Sequence, residues 1–335
     1  MITGASSGIG EATALSFARE GAVLYLAARG EPALEAVAQA CRRLGARATA
    51  VPADVTREDE VEAVAARASR EEQRLDAWVN CASVAAFGRF LDVPQASFRR
   101  VVETNFFGMV HDSRAALSRF VEQEHGVLIN VASVLGKEGV PYLSSYVSSK
   151  EAVIGLSASL REELQGFERV DVCTVLPSAI DTPIWRHAAN YTGRRIQALK
   201  PVYDPELVAR AIVGCARKPR RTVYVGMAGS AATIFHKLSA RWYEIAAAAV
   251  VPRLLFRRGA AERSDGNLFE PSRAPTTVTG GWGSRGEWLD RAAKAGLALG
   301  ALAAAASAAG SRRRRRRAEA SGRGSGAAPG PRRAA

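Results

Sequence analysis

A glycine-rich turn close to the first residue is the feature that most restricts how this chain can fold. The stretch from Thr3 to Gly10 has the sequence TGASSGIG, and a helical pattern follows it from Glu11 to Glu20. The apolar run at 22–28 then predicts a buried parallel strand. Glycines at such a turn let the backbone approach a pyrophosphate, and the helix N-terminus offers N–H groups to the anion. The pattern predicts an α/β fold, a doubly wound parallel sheet, with a dinucleotide at its edge.

The residue after this strand bears on which dinucleotide would bind. In such folds an acidic side chain about 20 residues beyond the glycines binds the adenosine ribose, whereas an arginine accommodates a 2′-phosphate. Here Arg29 follows the strand, and the first acid is Glu31. Arg29 therefore favours NADP(H) over NAD(H). The alternative is an ordinary solvated arginine at the end of a strand.

A tyrosine and a lysine four residues apart form the second informative pair. Tyr146 and Lys150 lie on one face if the segment is helical, so they can share a small site. A free phenol has a pKa of about 10, and a neighbouring cation lowers it. The pair is therefore suited to moving a proton to or from a substrate oxygen. A helix-surface pair without function remains the alternative if these two residues are considered alone.

Taken together, five elements of the sequence resemble the short-chain dehydrogenase/reductase family, in the branch with TGxxxGxG and YxxxK motifs. They are the turn at 3–10, Asn105, Ser133, Tyr146 and Lys150. The resemblance covers about residues 1–225 and implies a Rossmann fold. It also implies that Tyr146 is the general acid-base and that Lys150 lowers its pKa and binds the nicotinamide ribose. Ser133 would hydrogen-bond the substrate oxygen, and Asn105 would hold a water in the proton relay.

The resemblance also implies which residues contact the cofactor. They comprise the turn, the ends of several strands and the catalytic pair. Named individually, they are Gly4, Ser6, Ser7, Gly8, Ile9, Gly10, Arg29, Asp54, Val55, Asn80, Ala82, Tyr146, Lys150, Pro177 and Thr182.

The order of strands supports these assignments independently of the family. The apolar runs at 126–131 and 170–176 predict buried strands, and residues 221–225 predict the last strand of the sheet. Ser133 and Pro177 follow the first two of these strands. Because ligands of open parallel sheets bind beyond the carboxyl ends of the strands, both residues should lie at the ligand edge.

One departure from the family pattern concerns the substrate. Ser83 stands where the family has glycine, which adds a side chain close to where nicotinamide and substrate would meet. The segment 183–200, with Trp185, is expected to be a lid. Its apolar and aromatic content predicts a hydrophobic ketone, aldehyde or secondary alcohol. The predicted substrate contacts are Ser83, Leu135, Tyr142 and Trp185.

A second departure is the start of the chain. The first strand of this fold is central and normally supplies several apolar residues before the turn, but only Met1 and Ile2 precede it here. A truncated central strand would lose ladder hydrogen bonds and buried area. The expectation is that the native product carries roughly 4–10 further residues, the length of a strand.

Length and composition predict one enzyme domain with a C-terminal extension. We expect an NADP-binding catalytic domain at 1–229, a helical extension at 230–258, a linker at 259–286, and an Ala-rich helix with an Arg-rich disordered tail at 287–335. Ala231–Phe256 should be helical, with Ile234, Phe235, Leu238, Trp242 and Ile245 near one apolar face. This helix would pack on the domain or cap the substrate site. The alternative is a helix that lies on a membrane surface.

The basic charge belongs mostly to the tail. The formal net charge is +13, of which residues 311–335 contribute +8 through nine arginines and one glutamate. The globular part has no recognition-helix pattern, so no nucleic-acid partner is expected. The apolar run Ala295–Gly310 before six arginines is a candidate anchor, although it is short for a span. The cysteines and histidines are scattered, which predicts neither a metal site nor a disulfide framework. The expected location is the reducing cytoplasm, and membrane association through the C-terminal segment is the alternative.

The sequence therefore predicts hydride transfer between NADP(H) and a carbonyl/alcohol pair in a homo-oligomeric enzyme. Two alternatives belong to other classes. One is a catalytically idle NADP-binding scaffold or sensor. The other is a membrane or nucleic-acid adaptor that works through the Arg-rich tail.

Overall fold

The structure, a computed structural model, describes residues 1–272 and 277–283. Its strands, in chain order, are β1 (Ile2–Thr3), β2 (Val23–Ala28), β3 (Arg47–Pro52), β4 (Ala77–Asn80), β5 (Ala86–Phe87), β6 (Gly126–Val131), β7 (Val170–Pro177), β8 (Ala189–Asn190), β9 (Arg194–Ile196), β10 (Thr222–Val225) and β11 (Phe256–Ala260). The apolar runs that predicted strands coincide with β2, β6, β7 and β10 to within one residue at each end.

A parallel sheet forms the centre of the described part of the chain. Its seven strands lie in the order β10-β7-β6-β4-β1-β2-β3, and every neighbouring pair is parallel. Every residue of β6 is buried, as expected for a parallel strand with helices on both faces. Strand order reverses at β1, so the turn after β1 lies at the switch point where ligands of such sheets bind. The predicted doubly wound sheet with a central first strand is confirmed.

Helices cover both faces of this sheet. They are α1 (Gly8–Ala18), α2 (Glu31–Arg43), α3 (Glu58–Glu72), α4 (Gln95–Val102), α5 (Gly108–Glu122), α6 (Ser144–Glu163), α7 (Ile184–His187), α8 (Pro205–Arg217), α9 (Met227–Leu238) and α10 (Ala240–Leu255). A π-helical turn at Glu103–Phe107 joins α4 to α5, and a 3₁₀ turn at Val134–Gly136 follows β6. The buried Trp78 and Phe120 side chains belong to the core between sheet and helices.

The C-terminal extension differs from the single helix predicted at 231–256. Ser239 has extended backbone (φ −161°) and separates α9 from α10. Its N–H donates to the Phe235 carbonyl at 3.0 Å, and its own carbonyl accepts from the Tyr243 N–H at 3.0 Å. Serine favours such cap positions over helix interiors because its short polar side chain competes for backbone hydrogen bonds. Hydrophobic periodicity alone continues across such a break and does not reveal it.

The apolar face predicted for this extension is largely exposed. Ile234, Leu238, Trp242 and Ile245 are between 51% and 80% exposed, whereas Leu255 at the end of α10 is fully buried. In the described residues no helix combines the length and apolar character that crossing a membrane requires. The membrane-surface alternative stays a prediction. The candidate anchor Ala295–Gly310 and the Arg-rich tail lie outside the described residues.

The segment predicted as a linker, 259–286, contacts the domain at several places in its described part. β11 pairs with β9 in antiparallel fashion, and Ser264 bridges to Asn190. Leu268 is fully buried. The linker prediction is therefore corrected for the described residues. Composition suggested a linker because the segment is poor in apolar residues, but its contacts are mostly backbone hydrogen bonds, which composition does not reveal.

Candidate active site

The carboxyl ends of the parallel strands bring the predicted site residues to one edge of the sheet. The glycine turn follows β1, Arg29 follows β2, Ala82 and Ser83 follow β4, and Ser133 follows β6. Tyr146 and Lys150 lie in the first two turns of α6. The strand order predicted this edge. It brings together residues that are distant in the chain, such as Gly4 and Tyr146.

The Tyr146 hydroxyl lies in a buried environment with two serine hydroxyls. Burial raises the pKa of Tyr146 to about 12, although hydrogen bonds from Ser133 and Ser83 act to lower it. Ser133 accepts a hydrogen bond from the Leu135 N–H at 3.1 Å, which leaves its own proton for Tyr146. The phenol is therefore protonated near neutrality, which differs from the lowered pKa expected from the sequence. The physical reason is that desolvation of the phenolate outweighs the hydrogen bonds that favour it.

Lys150 is only 2% exposed and binds the backbone instead of the tyrosine oxygen. Its Nζ donates to the Val131 carbonyl at 3.0 Å and lies 5.7 Å from the centre of the Tyr146 ring. Burial lowers the pKa of Lys150 to about 8. The lysine is thus placed beside the tyrosine, as the spacing on α6 predicted, with its charge directed at the end of β6.

Asn105 lies in the π-helical turn and has no solvent-exposed surface. Its Nδ2 donates to the Val84 carbonyl at 2.9 Å and to Ser149 Oγ at 3.0 Å. Its Oδ1 accepts from the Val84 N–H at 2.8 Å and from Ser83 Oγ at 3.3 Å. The side chain therefore fixes the segment after β4 next to α6. That Asn105 holds a water stays a prediction. Such π turns occur often at functional sites, but the sequence contained no signal for this one.

The glycine turn packs so closely on neighbouring atoms that side chains at its glycines would meet them, and we call this turn the glycine cradle. Gly4 has φ +66°, and a Cβ there would lie 2.5 Å from the Ala82 nitrogen. Gly8 has φ +57°, and a Cβ there would lie 3.2 Å from the Thr182 side chain. A Cβ on Gly10 would collide with the Gly4 carbonyl oxygen. The turn therefore fits the close backbone approach that a pyrophosphate requires, with Ser6, Ser7 and Ile9 completing it and α1 beginning at Gly8.

At the end of the site where adenosine is predicted to bind, the charged side chains Arg29 and Asp54 have protein partners. The Arg29 guanidinium donates to three carbonyls of residues 267–269. The Asp54 carboxylate pairs with Arg100 at 2.6 Å and accepts from the Thr56 N–H, and these contacts, against the opposing effect of burial, hold its pKa below its ordinary value. Arg100 was not identified from the sequence, because an arginine on a helix carries no mark of the partner that folding supplies.

The remaining predicted cofactor contacts are Val55, Asn80, Pro177 and Thr182. Val55 follows Asp54, and its carbonyl faces His111 Nδ1 at 2.9 Å. Pro177 ends β7 at the groove and is buried, as is Thr182 a few residues later. The Asn80 Nδ2 donates to Asn130 Oδ1 at 2.8 Å inside the sheet, and its contact with a cofactor stays a prediction. Its side chain therefore links β4 to β6, because a strand interior offers no water to an amide.

Three of the four predicted substrate contacts share one apolar cluster with Tyr146, and the fourth, Ser83, hydrogen-bonds its hydroxyl. Leu135, Tyr142 and Trp185 pack with the buried residues Phe87, Leu143, Leu255 and Phe256. Trp185 stacks on Phe87 with ring centres 5.9 Å apart, and Tyr142 meets Phe256 edge to face at 5.0 Å. Tyr142 has φ +71°, which is unusual for a bulky side chain and marks a strained position next to the site. The end of α10 and the start of β11 thus form part of this wall.

Asp112 is a buried polar residue that sequence reasoning missed. Its Oδ2 accepts from Thr3 Oγ1 at 2.9 Å, which ties α5 to the strand before the glycine turn. Its Oδ1 has no hydrogen-bond partner among the described residues. Burial raises the pKa of this carboxyl to about 8. An aspartate within an otherwise small and apolar helix face was the available signal.

Comparisons with known proteins agree with this geometry. A family model described as short chain dehydrogenase matches residues 1–191. The uncharacterized oxidoreductase YxnA of Bacillus subtilis is 38% identical over 72% of this chain and 68% of its own length. Human 17-beta-hydroxysteroid dehydrogenase 13 is 29% identical over 67% of this chain and 73% of its own length. An X-ray structure of an alcohol dehydrogenase from the archaeon Thermococcus sibiricus, complexed with 5-hydroxy-NADP, covers 67% of this chain and 93% of its own, with a TM-score of 0.58 and 26% identity.

Proposed function

The chain belongs to the short-chain dehydrogenase family, and we propose that it transfers a hydride between NADP(H) and a hydrophobic carbonyl compound or secondary alcohol. The single observation that carries the proposal is the Tyr146 hydroxyl, which hydrogen-bonds with Ser133 and Ser83 beside the buried Lys150. This group lies at the sheet edge that also holds the glycine cradle. A proton donor is therefore found at the edge of the sheet where this fold would bind a dinucleotide.

The roles of the side chains follow from their environments. Bound nicotinamide supplies or accepts the hydride at the substrate carbon. Tyr146, with a pKa of about 12, is protonated at neutral pH and donates its proton to the carbonyl oxygen during reduction. Ser133 donates a hydrogen bond to the same oxygen, and Lys150 favours the phenolate that remains. Asn105 keeps the segment after β4 in place.

Arg29 supports NADP(H) over NAD(H). It follows β2, where an arginine accommodates a 2′-phosphate, and Glu31 is the first acid after it. Arg29→Asp should therefore weaken NADPH binding much more than NADH binding. An equal effect on the two dinucleotides would contradict the preference.

The apolar wall beside Tyr146 supports a hydrophobic substrate. Leu135, Tyr142 and Trp185 present carbon-rich surface from three separate segments, and α10 and β11 add Leu255 and Phe256. Burial of such surface favours an apolar ligand by about 25 cal/mol per Å². One relative carries a hydroxysteroid in its name, and such an alcohol would suit a wall of this kind.

The proposal is tested by NADPH oxidation with a panel of ketones and aldehydes of increasing hydrophobicity. Tyr146→Phe keeps the ring and removes the proton donor, so we expect kcat/KM to fall by about 10²–10⁴. The matched control is Tyr224→Phe, which changes a partly exposed tyrosine on β10 and should retain wild-type rates.

The same measurement separates the proposal from an idle dinucleotide-binding scaffold. Such a scaffold would bind NADPH without turnover in either the wild type or the variants. Equal turnover by wild type and Tyr146→Phe would contradict the role of this tyrosine. NADPH binding by both proteins, with turnover by the wild type alone, is the expected result.

A further inference from the structure

After β11 the chain returns to the carboxyl edge of the sheet, where it contacts the glycine turn, Arg29 and Asp181. We call this edge, where a dinucleotide is proposed to bind, the groove. We use the name strap for residues 264–272 and 277–283. It makes contacts at three places along the groove, and each contact involves a group that the proposed dinucleotide would need.

The first contact is at the adenosine end. Arg29 Nη2 donates to the Asn267 carbonyl at 2.6 Å, and its Nη1 donates to the Leu268 and Phe269 carbonyls at 3.0 and 3.2 Å. Arg100 Nε donates to the same Leu268 carbonyl at 3.0 Å. The guanidinium expected to hold a 2′-phosphate is thus bound to backbone oxygens of the strap.

The second contact is at the start of α1. The Gly8 N–H donates to the Thr277 carbonyl at 3.1 Å. N–H groups at this end of a helix bind anions, and here a carbonyl oxygen takes the position of the acceptor. The strap therefore lies inside the glycine cradle, where a pyrophosphate would lie, rather than over the outside of a filled groove.

The third contact is at the nicotinamide end. The Asp181 carboxylate accepts hydrogen bonds from the N–H groups of Gly280 and Trp282, each at 2.9 Å, and from Gly283 at 3.3 Å. The Trp282 indole donates to the Thr182 carbonyl at 3.2 Å. The Cζ atoms of Arg186 and Arg257 lie 5.3 and 5.5 Å from a centre of its ring, which adds cation–π attraction.

These contacts follow one another along the strap in the order adenosine, pyrophosphate, nicotinamide. We propose that the strap is an intramolecular ligand of the dinucleotide groove and that it competes with NADP(H), so that the chain holds itself in a closed state. The inference rests on the proposed function, because it assigns the groove to a dinucleotide.

The two halves of the strap are held differently. Leu268 is fully buried in a cluster with Val84, Val101 and Tyr191, and Ser264 exchanges two backbone hydrogen bonds with Asn190. Within 277–283 the one buried residue is Gly280, which has no side chain to pack, and the others are exposed or half-buried. The first half is therefore an anchor, and release of 277–283 is what opens the cradle and the nicotinamide end to the cofactor.

Two glycines of the releasable half allow a matched test in the full chain. A Cβ on Gly280 would collide with the Thr182 carbonyl oxygen, whereas a Cβ on Gly283 would meet no atom closer than 4.0 Å. Both alanine variants keep their backbone N–H groups. Gly280→Ala should therefore displace the strap, and Gly283→Ala should leave it in place. Trp282→Ala, which removes the indole contacts, is a second displacing variant.

The measurement is the Kd for NADPH, with NADH titrated in parallel. We expect Gly280→Ala and Trp282→Ala to bind NADPH at least tenfold more tightly than the wild type, and Gly283→Ala to match the wild type within twofold. Hydrogen exchange of the Gly280 and Trp282 amides should increase when NADPH is added to the wild type, since the released strap loses its bonds to Asp181.

Equal or weaker binding by Gly280→Ala and Trp282→Ala would overturn the strap while leaving the oxidoreductase proposal intact, provided that Tyr146-dependent turnover is seen. Protection of the two amides by NADPH would also overturn it, because the strap would then close over the cofactor. Failure of every variant to bind either dinucleotide would overturn the proposed function and the competition together.

Discussion

Tyr146 is partly buried and Lys150 is buried, and desolvation moves their pKa values in opposite directions. The Tyr146 pKa rises to about 12 and the Lys150 pKa falls to about 8, since each charged form loses water. Between these two values both groups are neutral, and below pH 8 the lysine is charged beside a protonated phenol. This protonation state suits proton donation to a carbonyl oxygen during reduction.

Ser83 should tune the tyrosine. Its hydroxyl has one proton, which it donates to Asn105 Oδ1 at 3.3 Å while Tyr146 is protonated and to the Tyr146 oxygen once the phenolate forms. Ser83→Ala removes a bond that favours the phenolate, so the Tyr146 pKa should rise further. In alcohol oxidation, where the phenolate is the base, the rising limb of the kcat profile should move to higher pH by about one unit, and kcat at pH 8 should fall about tenfold.

The control for this substitution is Ser148→Ala. Ser148 is an exposed serine on α6, the helix that carries Tyr146, and its replacement should leave the pH profile unchanged. A loss of kcat in Ser83→Ala without a shift of the profile would mean that the serine only supports the fold.

At the scale of elements, the end of α10 and the start of β11 connect the C-terminal extension to the apolar cluster beside Tyr146, the proposed substrate wall. Leu255 is fully buried with Phe87 and Leu143, and the Leu254 and Leu255 carbonyls accept hydrogen bonds from Gln197 at 2.8 and 2.9 Å. This contact explains how an extension outside the matched family region, which ends at 191, contributes to the site.

Leu255→Ala should loosen this wall. We expect the free energy of unfolding to fall by about 2–5 kcal/mol, because the cavity is in a packed cluster. KM for a hydrophobic ketone should rise several-fold, while the Kd for NADPH should not increase. The measurements are denaturant unfolding and steady-state kinetics.

Leu254→Ala makes the same change at the neighbouring residue, which is 40% exposed and keeps its carbonyl bond to Gln197. It should have little effect on KM. If Leu255→Ala destabilised the protein without a change in KM, then α10 would support the fold but not shape the site.

At the scale of the whole molecule, Asp112 couples folding to pH. Burial raises its pKa from 3.8 to about 8, so between these values the folded chain binds a proton that the unfolded chain has lost. The free energy of unfolding therefore decreases as pH rises through this window. Asp112→Asn keeps an acceptor for Thr3 and removes the proton linkage.

We expect Asp112→Asn to flatten the pH dependence of unfolding between pH 5 and pH 8 and to exceed the wild type in stability by about 2 kcal/mol at pH 8. Denaturant titrations at both pH values measure this. Asp92→Asn, at an exposed position, is the matched control and should follow the wild type. A wild-type slope in Asp112→Asn would contradict the linkage.

The sequence by itself determined the doubly wound sheet, the glycine turn at its switch point and the tyrosine–lysine pair on one helix. These features depend on residues that are neighbours in the chain, so periodicity and spacing report them. Only the tertiary structure decided the raised Tyr146 pKa, the Asp112–Thr3 bond and the path of the strap. Each arises from burial or from contacts between distant residues, such as Arg29 with the carbonyls 238–240 positions later. Backbone carbonyls are common to all residues, so no side-chain pattern could reveal that residues 267–272 and 277–283 contact the groove.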